Sequence, residues 1–251
     1  MIKIAIFDID NTLTESRSTL SSSMTSLLSR LLDIMPVALV SGGSMESVTR
    51  QVISRLSHAQ FGHLYALPTS GAEMRAFERG AWRVVYSFPI GDADRRVLFE
   101  ELAGITGIST VRLGGFVEDR GTQITYAALG IDAPLDIKYA WDPTREKRKA
   151  IVARIAPRLP GLSVTIGGST SIDFTEKGVD KAFGVSRLLE HLGIQASDAV
   201  FVGDALDAGG NDAPVKAVGV KIFATRSLAE TESIIRGILD AEGFSRANSD
   251  I

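Results

Sequence analysis

Along the first 90 residues, short apolar runs alternate with stretches whose apolar residues recur every three or four positions. Ile2 to Phe7 is apolar apart from Lys3, as in a strand covered on both faces. Ser16 to Ser29 is serine-rich, but Met24, Leu27, Leu28, Leu31 and Leu32 fall at helical spacing within and after it. The pattern predicts a helix with serines at its start and on its exposed face. Pro36 ends it, and Val37 to Val40 reads as a second buried strand. A helix over Met45–Leu56 and a strand over His63–Leu67 follow.

The far end repeats this rhythm. A helix is predicted over Ala182–Leu192, strands over Ala199–Val202 and Val218–Ala224, and a last helix over Leu228–Leu239. Short apolar strands alternating with helices imply a parallel sheet covered on both faces. The middle differs. Arg83–Ser87, Val111–Glu118, Gln123–Leu129, Ser163–Ile166 and Ser171–Phe174 read as strands, several alternating polar and apolar residues. Helices fit at Asp92–Ala103 and Thr144–Leu159. Alternation suits an antiparallel sheet with one covered face. The fold class expected is therefore α/β. A doubly wound, Rossmann-like parallel-sheet core (1–86 and 173–251) is interrupted by an α+β domain (87–172).

Composition narrows the chemistry. The 251 residues are 45% hydrophobic and 23% charged, ordinary for a globular chain. The absence of cysteine excludes disulfides, thiol catalysis and cysteine-ligated metals. A net charge of −3 without a basic stripe argues against nucleic acid. No apolar stretch is long enough to span a membrane, and the apolar run at Met1 is too short for a signal peptide. A cytoplasmic location is expected. His58, His63 and His191 lack metal-ligand spacing. Trp82 and Trp141 read as packing residues, and the Arg145–Arg148 run as a solvated helix face.

The average charge hides two acidic sites. Asp8-Ile9-Asp10-Asn11-Thr12 directly follows the first strand, and ligands of doubly wound sheets bind beyond the strands' carboxyl ends. In an extended chain Asp8 and Asp10 face the same way. Two like charges ~4 Å apart repel by roughly 4 kcal/mol at an effective dielectric of 20. A cation or a retained proton must offset that. Gly203-Asp204 through Asn211-Asp212 follows another apolar strand. Oxygen-rich, nitrogen-poor sites suit a hard cation such as Mg²⁺. Ser41-Gly42-Gly43-Ser44, between a strand and a helix, can cradle an anion, and so can a lysine at a helix start, such as Lys181.

These segments, in this order, resemble the haloacid dehalogenase superfamily of phosphotransferases. Asp8-x-Asp10-x-Thr12 matches its first motif, Ser41 the second, Lys181 the third and Gly203-Asp204 the fourth. The insert is similar to a type IIB cap, and within that group the chain resembles eukaryotic phosphomannomutases. Phe116-Val117-Glu118-Asp119-Arg120, Gly167-Gly168-Ser169-Thr170-Ser171-Ile172-Asp173, Gly178-Val179-Asp180-Lys181 and Gly209-Gly210-Asn211-Asp212 carry that likeness. Asn11 stands where the superfamily usually has glycine. Of the mutase's cap arginines, Arg120 is present, Ile131 replaces one and Lys138 another.

The resemblance implies a Mg²⁺-dependent phosphatase of a small phosphorylated metabolite, with a sugar phosphate the expected class. Asp8 would be the nucleophile, forming an aspartyl-phosphate, and Asp10 the acid and base. Mg²⁺ would bind Asp8, the Asp10 carbonyl and Asp204, with Asp212 in support. Ser41, Gly42, Asn11 and Lys181 would hold the phosphate. Arg17, Arg120, Lys138, Ser171 and Asp173 would meet the rest of the substrate. A phosphomannomutase using the same intermediate is the alternative, and a non-catalytic phosphate- or metal-binding module a further one. A monomer or a cap-mediated homodimer is expected.

Overall fold

The computed structural model describes residues 2–249, and it contains two sheets. The first has seven strands in the order β11-β10-β1-β2-β3-β4-β5. Five of its strands are β1 (Ile4–Asp8), β2 (Val37–Val40), β3 (Leu64–Leu67), β10 (Ala199–Gly203) and, at one edge, β11 (Lys221–Ala224). These are all parallel. Strands β4 (Glu73–Glu78) and β5 (Ala81–Ser87) extend it as an antiparallel hairpin. The sequence reading missed β4, although Met74 and Ala76 alternate inward, and it grouped β5 with the middle of the chain.

Every residue of β1 and β2 is buried, which is why both read as unbroken apolar runs. Alternate residues feed opposite faces. Phe7 and Leu39 pack with helices α1 (Ser22–Leu32) and α7 (Leu228–Ser249). Ile6 and Val40 pack with α6 (Lys181–Leu192). The serine-rich stretch is a helix start, since Ser21 caps α1 by accepting a hydrogen bond from the Met24 amide. Helix α2 is shorter than expected, Met45–Gln51, and runs into a 3₁₀ turn at Ile53–Arg55.

The second sheet has the order β6-β7-β9-β8, all antiparallel: β6 (Val117–Asp119), β7 (Gln123–Ala127), β8 (Leu162–Gly167) and β9 (Ser171–Glu176). Helices α3 (Asp92–Thr106) and α5 (Glu146–Ile155) cover one face through Leu98, Leu102 and Ile155. The strand expected over Val111–Glu118 is mostly a 3₁₀ turn, Thr110–Gly115, because Gly114 and Gly115 break the ladder. Helix α4 (Leu135–Trp141) was not foreseen, being short and lacking a clear apolar face. Strand β9 runs on to Glu176, so the chain leaves the second sheet a few residues after position 173. No helix among the described residues is long and apolar enough to cross a membrane.

Helix α6 is seated on the turn after β3 by two glycines. A Cβ on Gly184 would lie 2.7 Å from the Gly71 Cα, and one on Gly71 2.8 Å from the Gly184 Cα. Gly184→Ala would gain ~1 kcal/mol of helix propensity. It would lose ~1–3 kcal/mol to overpacking against backbone that cannot rotate away. The variant is expected to melt a few degrees lower, and an unchanged or raised melting temperature would show that α6 has room to shift.

Candidate active site

Asp8, Asp204 and Asp212, from the two acidic segments, converge where β1 and β10 end side by side. Asp8 closes β1 and is buried. Asp212 is 0% exposed and its Oδ2 accepts the Ala205 amide at 3.0 Å. Asp204 is half-buried. One carboxylate oxygen from each of Asp8, Asp204 and Asp212 lies within 4.8 Å of the others. Gly203 allows this approach, since a Cβ there would sit 2.5 Å from the Asp212 Oδ2.

Lys181 is the first residue of α6, whose start is capped by Asp180 accepting the Phe183 amide at 2.9 Å. Its ammonium is 1% exposed and donates to Asp8 Oδ1 at 2.5 Å and Asp212 Oδ1 at 2.6 Å. One ammonium against three carboxylates leaves the cluster two negative charges in excess. Burial therefore pushes the Asp8 carboxyl up to about 8; Lys181 pulls it down, and Asp212 and Asp204 add to the rise. Asp204 is raised by its burial and by Asp212, with Lys181 and the Asn11 side chain acting against this. Lys181 is held well above the usual lysine range because its two carboxylates outweigh its burial.

Asp10 lines the same cleft as Asp8, but its carboxylate has partners of its own. Strand β1 stops at Asp8, and Asn11 takes a left-handed φ of 60°. The Asp10 Oδ1 accepts the Arg17 amide at 2.7 Å and Gln51 Nε2 at 2.9 Å, and its carboxylate lies outside the three-aspartate cluster. Thr12 donates to Asp8 Oδ2 at 3.2 Å. Ser41, buried after β2, accepts the Gly43 amide at 3.0 Å, while Ser44 caps α2. Gln51 carried no signal in the sequence, because a lone glutamine in a helix reads as surface.

A cleft of about 610 Å³ joins this cluster to the second sheet. Asp8, Asp10, Asn11, Gly42, Asp204, Arg17, Arg120, Lys138, Ser171 and Asp173 line it. Asp173 is buried, accepts Thr125 Oγ1 at 2.7 Å, and is pushed up by that burial. Arg120 is already engaged. Its guanidinium donates to both Glu118 oxygens, to Gln123 Oε1 at 2.6 Å and to the Gly42 carbonyl at 2.6 Å. Hydrogen bonding to Arg120 holds Glu118 below the usual carboxylate range. Lys138 is buried and donates to the Ile131 carbonyl at 2.7 Å; burial and nearby Arg17 lower its affinity for a proton. Thr122 to Thr69 at 2.9 Å and Gln123 to Ser70 at 3.1 Å tie the two sheets together beside the cleft. Thr69 and Ser70, both at left-handed φ, were not singled out from sequence.

The Arg145–Arg148 run is not a solvated face throughout. Arg148 is 2% exposed and paired with Asp142. Charge density alone does not reveal which member of such a run points inward. Trp82 packs against Phe61 and Phe77, as expected of a packing residue.

A sequence model of haloacid dehalogenase-like hydrolases matches residues 132–214, the stretch that contains Lys181, Asp204 and Asp212. Over that stretch the chain resembles haloacid dehalogenase-like hydrolases. It is 27% identical over 218 residues to a probable phosphomannomutase of Caenorhabditis elegans, covering 83% of this chain and 84% of that protein. It is 25% identical over 224 residues to the phosphomannomutase of Spinacia oleracea, covering 83% and 84%. Among solved structures, an IMP-nucleotidase of Plasmodium falciparum superposes with a TM-score of 0.72 at 17% identity, covering 94% of this chain and 70% of that one. A haloacid dehalogenase-like hydrolase from Bacteroides thetaiotaomicron gives 0.66 at 18% identity, covering 95% and 100%. These two likenesses show the shared fold.

Proposed function

We propose that the chain transfers phosphoryl groups from a small sugar phosphate to water through Asp8, with Mg²⁺ as cofactor. The observation that carries this is the buried Asp8 at a strand end, in contact with Lys181 and within one cluster with Asp204 and Asp212. The donor set fits a hard divalent cation: it is all carboxylate, it gathers at one point, and its excess charge calls for one. Asp8, Asp204 and the Asp10 carbonyl would hold Mg²⁺, with Asp212 in support. When bound, the ion screens the phosphate's charge from the attacking carboxylate.

Asp8 attacks phosphorus, forming an Asp8–O–P bond as the bond to the leaving oxygen breaks. Lys181 lowers the proton affinity of Asp8 against the effect of its burial and offsets charge on the phosphoryl oxygens. Asp10, oriented by Gln51 and the Arg17 amide, gives its proton to the leaving oxygen. It then takes one from the water that attacks the phosphoaspartate, releasing inorganic phosphate and freeing Asp8. Ser41 and the amides that follow it hold the oxygens of the group carried on Asp8. The domain built on the second sheet serves as the cap, with Ser171 and Asp173 meeting the sugar.

Hydrolysis is favoured over the mutase reaction by what the cap cations are doing. Arg120 is bound to Glu118, Gln123 and Gly42, Lys138 to a backbone carbonyl, and Ile131 carries no charge. A bisphosphate turning around in the cleft would find little left to grip its far phosphate. The likeness to phosphomannomutases keeps the mutase as a second reading. Mannose 1-phosphate with Mg²⁺ and a trace of hexose 1,6-bisphosphate separates the two. Free phosphate, abolished by EDTA, is the expected product; mannose 6-phosphate with little free phosphate would overturn hydrolysis in favour of the mutase.

A further inference from the structure

From the buried Arg148–Asp142 pair, we infer that Arg148 is a positioning residue that sets the shape of the leaving-group half of the cleft. This rests on the phosphoryl-transfer reading above. Arg148 sits near the start of α5, buried at the edge of the cleft, and its guanidinium is bonded to the protein through every nitrogen. Its Nε donates to Asp142 Oδ2 at 2.9 Å and one terminal nitrogen to the Asp142 carbonyl at 3.1 Å. The other terminal nitrogen donates to the carbonyls of Gly167 and Gly168, each at 2.7 Å. Asp142 in turn accepts the amides of Lys147 and Arg148, each at 3.1 Å. Burial raises the Asp142 carboxyl, but Arg148 and those amides outweigh it and hold it below the usual range.

One guanidinium thus fixes three pieces of chain to each other: the end of α4, the start of α5 and the turn from β8 to β9. Helix α4 carries Lys138 and Tyr139, and the turn leads into Ser169, Ser171 and Asp173; all five face the cleft. Arg148 controls the separation of these two walls. Stability alone does not explain it. A buried ion pair exchanged for apolar residues of similar volume is often neutral or stabilising, so the pair's defining property is its geometry. Only a planar fork reaches two adjacent carbonyls through one nitrogen and a carboxylate through another, and lysine keeps the charge without that fork.

The test compares wild type, Arg148→Lys and the double variant Asp142→Leu/Arg148→Met, which leaves no unpaired charge. Each is assayed with Mg²⁺ on 4-nitrophenyl phosphate, whose leaving group demands little of the cap, and on the best substrate from a panel of hexose monophosphates. In both variants, KM for the hexose phosphate is expected to rise ~10-fold or more with kcat within ~3-fold, and kcat/KM for the aryl phosphate to stay within ~3-fold. An unchanged hexose-phosphate KM overturns the positioning role. So does an equal loss on both substrates alongside a lower melting temperature, because that is what a merely structural pair would give. Wild type without turnover of either substrate overturns the phosphoryl-transfer reading itself, and this inference with it.

Discussion

Asp8→Asn is expected to abolish turnover, by ~10³-fold or more, while making the metal-free protein more stable at neutral and alkaline pH. The two effects have one cause. The Asp8 carboxyl, ordinarily near 3.8, is pushed up to about 8 chiefly by its burial, against the pull of Lys181. The folded chain therefore retains a proton that the unfolded chain has lost. A group raised on folding stabilises most below its unfolded value, and that contribution is lost as pH rises through the folded value. Metal-free wild type is thus expected to lose stability steadily between pH 4 and 8, and Mg²⁺ to restore more of it at pH 8 than at pH 5. Asparagine resembles the protonated form and should flatten this profile. Thermal unfolding of both proteins across that range, with and without Mg²⁺, provides the check. A wild-type profile that is flat, or that climbs toward pH 8, would contradict the burial argument.

Lys181→Met should produce the largest loss of stability. It removes the buried cation between Asp8 and Asp212 and leaves their charges to each other. Breaking a buried pair in this way costs ~3–5 kcal/mol. For a chain of this size that corresponds to a melting temperature lower by ~6–20 °C. The loss should be smaller at pH 5 than at pH 8, since protons can substitute for the missing ammonium. Turnover should fall as well, since Asp8 would lose the cation that lowers its proton affinity. A melting temperature unchanged at both pH values would mean that the lysine is dispensable to the folded cluster.

Much of this site could be read from the sequence, and the reason is positional. Asp8, Ser41 and Asp204 follow strands so uniformly apolar that their ends are unmistakable, and Lys181 opens a helix with a strong apolar stripe. The convergence of Asp8, Lys181, Asp204 and Asp212 follows from the parallel order of the strands. What the sequence concealed depends on side-chain direction. Asp10 lies two residues from Asp8, yet its carboxylate goes to Gln51 and the Arg17 amide and lies outside the three-aspartate cluster. Arg120 and Lys138 stand where substrate-binding cations were expected, and both line the cleft, but each also holds the fold together. Arg148, in a run of charges that looked exposed, is among the most buried side chains. Strand β5 was legible, but its partner β4 and the short helix α4 were not.

The central claim is that Asp8 itself receives the phosphoryl group. Rapid acid quenching of wild type during turnover of 4-nitrophenyl phosphate with Mg²⁺, followed by peptide mass spectrometry, tests it directly. The expected result is phosphate on the peptide containing Asp8, appearing within the first turnover and absent from Asp8→Asn. Steady phosphate release with an unmodified Asp8 peptide, or release by Asp8→Asn at the wild-type rate, would contradict it.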